Sequence, residues 1–109
     1  MMYEQRDIVI INFYDGQRWK ERPALIVSNN DLQEDEGIIY VVMITTKDYN
    51  PQYAYPLTDE MYIGRLEKQS FVKCHLIEFD AANTIAKKIG RMKPQYFDEI
   101  VEKIKVSIF

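Results

Sequence analysis

The chain holds one cysteine and one histidine in 109 residues, and these two scarcities exclude a good deal. A lone Cys74 cannot close an internal disulfide, which suits a reducing compartment. Cys74 and His75 are neighbours on a predicted strand, so they point to opposite faces and cannot converge on an ion; no metal and no cofactor is expected. Long apolar runs are also missing. The longest, Ile38 to Ile44, is interrupted by Tyr40 and is far too short to cross a bilayer. Glu4, Gln5, Arg6 and Asp7 stand where a signal peptide would carry its basic region, so a cytoplasmic protein without membrane contact is expected. Positive charge is not in excess: a net charge of −3 argues against a protein that coats nucleic acid. Local basic patches do exist, at Arg18–Lys20–Arg22 and at Lys87–Lys88–Arg91–Lys93, and a transiently binding enzyme needs no more than that. There are no internal repeats, low-complexity tracts or linkers, so residues 1–109 read as a single domain with one modest core.

What is present is the composition of a folded protein, 47% hydrophobic and 28% charged, with eight tyrosines that favour strands. Asp7 to Phe13 reads as a strand apolar on both faces. The polar stretch Tyr14 to Glu21 carries an Asp15-Gly16 turn signal and reads as a tight hairpin or a longer exposed loop. Arg22 to Ser28 is a second strand, with Pro23 tolerable near its start or on an edge. Asn29 to Gly37 reads as a polar, acidic connection. Ile38 to Thr45 is the strand expected at the centre of the sheet. Tyr53 to Leu57, Ser70 to Phe79 and Ile85 to Met92 complete the strands, and the stretch from Asp48 to Gly64 contains a long loop. From Pro94 onward, Phe97, Ile100, Val101, Ile104 and Ile108 make one apolar stripe at helical spacing. Several short strands followed by one helix indicate a mainly β fold, a small and partly closed barrel with a C-terminal helix packed on it.

The strand Asp7-Ile8-Val9, then Arg22-Pro23-Ala24-Leu25-Ile26-Val27-Ser28-Asn29, then Val42-Met43-Ile44-Thr45-Thr46, resembles three N-terminal signatures of the MazF/PemK toxins. Leu66-Glu67-Lys68-Gln69-Ser70-Phe71-Val72 is similar to the family's L-x-K-x-S-x-V segment, and Ile89-Gly90 before an amphipathic helix is similar to its ending. The resemblance spans almost the whole chain in order. It implies an SH3-like barrel of the CcdB/PemK type, a homodimer, and metal-independent cleavage of single-stranded messenger RNA. It also implies a cognate antitoxin whose C-terminal segment threads across the active-site groove. Three departures stand out. Arg6 replaces the usual Gly before the first strand's acidic residue, Asp15 to Lys20 replaces the Gly-x-Glu-Gln loop, and Lys73-Cys74-His75 replaces the Arg-Cys-Asp set of the PemK branch.

Metal-free RNA cleavage drives the ribose 2′-OH onto its own phosphate, so it needs a base, an acid and a group that holds the phosphorane charge. Arg22 suits the last role, because a guanidinium grips phosphate bidentately and stays protonated; the plain alternative is a strand-edge arginine that solvates the sheet. Thr45 matches the family's phosphate-contacting threonine, with Thr46 one register step away. Alternation along the strand places Val72, Cys74 and Leu76 toward the core and points Lys73 and His75 outward together. Those two occupy the positions of the PemK branch's Arg and Asp, and an imidazole can serve as acid or base. Glu21 and Asp15 are the carboxylates near Arg22; Glu21 equally reads as a surface ion-pair partner. Trp19, flanked by Arg18 and Lys20, reads either as a platform for unpaired bases or as a cover for the barrel mouth or a dimer seam. The departures keep two other readings open: a CcdB-like toxin that binds gyrase without chemistry, and a degenerate member that only binds antitoxin.

Overall fold

The computed structural model describes residues 3–47 and 50–109. Its strands are β1 (Asp7–Tyr14), β2 (Trp19–Ile26), β3 (Ile38–Thr45), β4 (Ala54–Leu57), β5 (Tyr62–Gly64), β6 (Ser70–Ala81) and β7 (Ile85–Met92). Two α-helices, α1 (Asn30–Glu36) and α2 (Pro94–Ile108), complete it. The strands form one antiparallel sheet in the order β4-β6-β3-β2-β1-β7-β5. Its two edge strands, β4 and β5, are consecutive in sequence and joined through a single 3-10 turn at Asp59–Met61. A sheet whose first and last strands are tied so closely must curl, and the barrel expected from the sequence is the result.

The core has two parts, one on each face of the central strands. Ile8, Leu25, Val42, Val72 and Cys74 face inward and are covered by Phe97, Ile100 and Ile104 of α2. Val9, Ile11, Ala24, Ile26, Ile39 and Val41 make a second cluster on the opposite face, capped by Ile85. This is why β1 reads as apolar on both sides. β3 lies between β2 and β6, the central position its sequence predicts.

Four local features differ from the sequence reading. The stretch taken as a polar connection folds into α1: the Asn29 side chain caps it by accepting from the Leu32 N–H at 2.9 Å, and Gly37 ends it with φ of 67°. Trp19, Lys20 and Glu21 belong to β2, because the hairpin is tight; Asp15 Oδ1 accepts from the N–H groups of Gln17 and Arg18 at 2.9 and 3.0 Å. Asp48 lies outside the described residues, and from Asn50 on the predicted loop holds, besides the strand foreseen at β4, the 3-10 turn and the short β5. Finally, β6 carries a large bulge: Val42 pairs with Ile77 and Ile44 with Val72, so Met43 alone faces Lys73 to Leu76. Alternation therefore fails past Cys74, and Leu76, expected in the core, is exposed with Ile77 and Phe79. Pro23 is tolerated as foreseen, since β3 pairs with β2 only from Ala24 onward.

Arg6 has φ of 80°, the left-handed conformation that glycine adopts freely. The side chain compensates by donating from Nη1 to the Met92 carbonyl at 2.9 Å. Arg6→Gly should therefore be more stable than Arg6→Ala by about 1 kcal/mol, since both lose that bond and only alanine keeps the strain. Urea unfolding of the two variants measures it, and equal stabilities would show that the conformation relaxes.

Candidate active site

Arg22 and Thr45 come together through sheet register. Ala24 of β2 lies opposite Met43 of β3, so two residues further along each antiparallel strand Arg22 and Thr45 share one face. That face is the one carrying the second core cluster, and β2 stops pairing with β3 at Ala24. A cleft of about 450 Å³ lies where the cluster ends, walled by Arg22, Pro23, Thr45, Thr46, Lys73 and Glu78 among others. Arg22 is exposed and Thr45 half-buried. The Lys47 N–H donates to Thr45 Oγ1 at 3.2 Å, which leaves the hydroxyl proton for an incoming acceptor. Lys73 reaches the wall from the β6 bulge, and Lys47 adds a further cation. A guanidinium, two ammonium groups and two threonine hydroxyls around one cleft supply the charge and donors that an anion such as a phosphodiester needs.

Two other clefts adjoin it. One of about 540 Å³ shares Phe13 and Glu78 with the first and is lined by Tyr14, Trp19, Ile77 and Phe79. Trp19 stands 66% exposed, its ring 5.4 Å from that of Tyr14 directly across the strand pair. The other, of about 330 Å³, shares Pro23 and Thr46 with the first and is lined by Arg65, Lys68 and Lys87. Together they make one track: an aromatic end that also carries Asp80, a largely cationic centre, and an end where Arg65, Lys68 and Lys87 outnumber Glu67.

The remaining candidates are placed elsewhere. His75 is half-buried like Lys73, its ring is 4.6 Å from that of Tyr53, and it is not among the residues lining these clefts. Lys20 bonds Asp15 at 2.8 Å, and this contact, with the Arg18 and Gln17 N–H groups, holds the Asp15 carboxyl far below its ordinary range. Arg18, Lys20 and Glu21 are not among the residues lining the clefts. Within the second basic cluster, Lys88 and Arg91 bind the buried Asp7 at 3.1 and 3.0 Å, so their role is structural, while Lys87 faces the basic cleft. Sequence reasoning missed Glu78, Arg65 and Lys68. For Glu78 no local signal exists, because only the bulge sets where it emerges. Among the described residues no group of His, Cys, Asp and Glu could hold a metal ion.

Cys74 lies fully inside the barrel, and burial pushes its thiol up to about 11. In the native protein it should resist an aromatic disulfide reagent at neutral pH and react only on denaturation. Rapid native labelling would show that the barrel opens there.

The chain is similar to known proteins in both sequence pattern and fold. The family described as PemK-like, MazF-like toxin of type II toxin-antitoxin system matches residues 4–108. No curated protein is significantly similar in sequence. Among solved structures, the Mycobacterium tuberculosis toxin MazF-mt6 is 22% identical, with 94% of this chain and 95% of that one covered at a TM-score of 0.77. An endoribonuclease in complex with its cognate antitoxin from a Mycobacterial species is 16% identical, covering 97% and 94%, TM-score 0.79. The MazE–MazF complex from Deinococcus radiodurans is 14% identical, covering 98% of each chain, TM-score 0.79. At these identities the structures establish a shared fold. No helix among the described residues is long and apolar enough to cross a membrane.

Proposed function

The chain belongs to the PemK-like, MazF-like toxin family of type II toxin–antitoxin systems, and from that premise we propose that it is an endoribonuclease that cleaves single-stranded RNA without a metal ion. The observation that carries this is the cleft in which Arg22, Thr45 and Lys73 meet. Arg22 grips the non-bridging oxygens of the scissile phosphate, Thr45 donates to one of them, and Lys73 adds charge as the phosphorane forms. The exposed Trp19 offers a stacking face to an unpaired base, and Arg65, Lys68 and Lys87 carry the backbone at the other end. His75 packs on Tyr53 and is not among the residues lining the cleft, so it is assigned no proton-transfer step here.

The partner is a cognate antitoxin, and the same track receives its C-terminal segment; complexes of related folds carry antitoxin chains. The active form is a homodimer. Its support is the family to which the chain belongs. The test is incubation of purified protein with defined single-stranded RNA in EDTA. Fragments ending in a 2′,3′-cyclic phosphate are expected. Failure to cut several sequence-diverse RNAs, combined with inhibition of supercoiling by gyrase, would replace this reading with a non-catalytic, protein-binding toxin. Antitoxin binding alone would leave a degenerate member.

A further inference from the structure

Resting on the ribonuclease reading above, we infer that Glu78 is the general base that takes the proton from the ribose 2′-OH. Metal-free cleavage requires such a group, and among the described residues that line the central cleft Glu78 is the one carboxylate. The other ionisable groups on that wall are Arg22, Lys47 and Lys73, all suited to binding anions. The loop between β1 and β2 supplies no substitute. Asp15 is bound to Lys20 and to the turn's own N–H groups, and Glu21 precedes Arg22 in β2 and therefore points to the opposite face.

Position adds a second line of support. Glu78 and Phe13 are the residues common to the central cleft and the aromatic cleft. A nucleotide with its base against Trp19 or Phe79 and its 3′ phosphate at Arg22 must lay its ribose across that junction. The 2′-OH sits between base and phosphate in any ribonucleotide, so the order of groups along the track matches the order of groups in the substrate. Glu78 pairs with Val41 of β3, a fully buried residue of the second core cluster, so its backbone is fixed although its carboxylate is exposed. The step balances without a co-reactant. The 2′ proton moves to the Glu78 carboxylate, the 2′ oxygen forms a bond to phosphorus, and the bond from phosphorus to the 5′ oxygen breaks. That oxygen leaves with a proton from solvent, and Glu78 returns its own to solvent.

The test uses the full chain, a single-stranded RNA and EDTA, with Glu78→Gln and Glu78→Asp compared with wild type. Glu78→Gln should lower kcat by about 100-fold or more with KM within about twofold, and should flatten the acid limb of the pH–rate profile. Glu78→Asp should restore part of the rate. On RNA with sulfur in place of the scissile 5′ oxygen, whose leaving group needs no proton, Glu78→Gln should remain as far below wild type. Circular dichroism confirms that the variants are folded. A wild-type rate in Glu78→Gln overturns the assignment and leaves the ribonuclease standing, as does rescue by the sulfur substrate, which would make Glu78 the acid. A wild type that cuts no RNA overturns both.

Discussion

Arg22→Ala is expected to lower RNA cleavage about 100- to 1000-fold, the cost of removing one preorganised group from a developing oxyanion. The loss should fall on kcat more than on KM, because the guanidinium matters most when the phosphate gains charge in the transition state. Stability should hardly change. Arg22 is exposed, and the strand it belongs to is fixed by Ala24, Leu25 and Ile26, each buried against one face of the sheet or the other. Arg22→Lys should fall between, since an ammonium keeps the charge and loses the fork that matches two oxygens at once. Thermal unfolding alongside single-turnover cleavage separates the two quantities. An Arg22→Ala protein that cuts RNA at the wild-type rate would move the reaction out of this cleft altogether.

How much of this site the sequence could reveal depends on how local its causes are. Arg22 and Thr45 are legible as candidates from side-chain chemistry and the family resemblance, and because regular strands carry them the pairing of Ala24 with Met43 sets them side by side. Glu78 is not legible, because it depends on the β6 bulge, which sets Met43 against Lys73 to Leu76 and leaves no trace in the hydrophobic pattern. The same bulge is why an apolar Leu76 is exposed while Lys73 reaches the cleft wall. The short α1 was missed for a different reason. Its seven residues are almost all polar, so no apolar stripe marks it, yet Asn29 and Gly37 were the readable cap signals at its two ends. β5 has three residues, too few to show a period, and is held by pairing with β7. Near its end Gly64 lies opposite Gly90, and a methyl group on Gly90 would come within 2.7 Å of the Ile63 carbonyl oxygen. That close approach is a tertiary fact, invisible until the two strands are set side by side.

The C-terminal helix was the most legible element, and it supports the second large prediction, Phe97→Ala. Of the five apolar residues in its stripe, Phe97, Ile100 and Ile104 are buried against the barrel, Val101 is half-buried, and Ile108 is 39% exposed where the helix ends. Phe97 packs in a cluster with Leu25, Val42, Val72 and Cys74, inward-facing residues of three different strands, so truncating it leaves a cavity that no single strand can move to fill. The expected cost is about 3–5 kcal/mol, a large fraction of the roughly 5–15 kcal/mol by which a domain of this size is stable. Val106, 79% exposed on the same helix, is the internal comparison, and Val106→Ala should stay within about 0.5 kcal/mol of wild type. Denaturant midpoints measure both. The chemistry gives a further check: the central cleft opens on the second core cluster, on the far side of the sheet from α2. Phe97→Ala should therefore cleave RNA normally per folded molecule at low temperature and lose activity only as it unfolds. A helix that merely rests on the barrel would give a small stability change, and a variant inactive while still folded would mean that α2 shapes the cleft through the sheet.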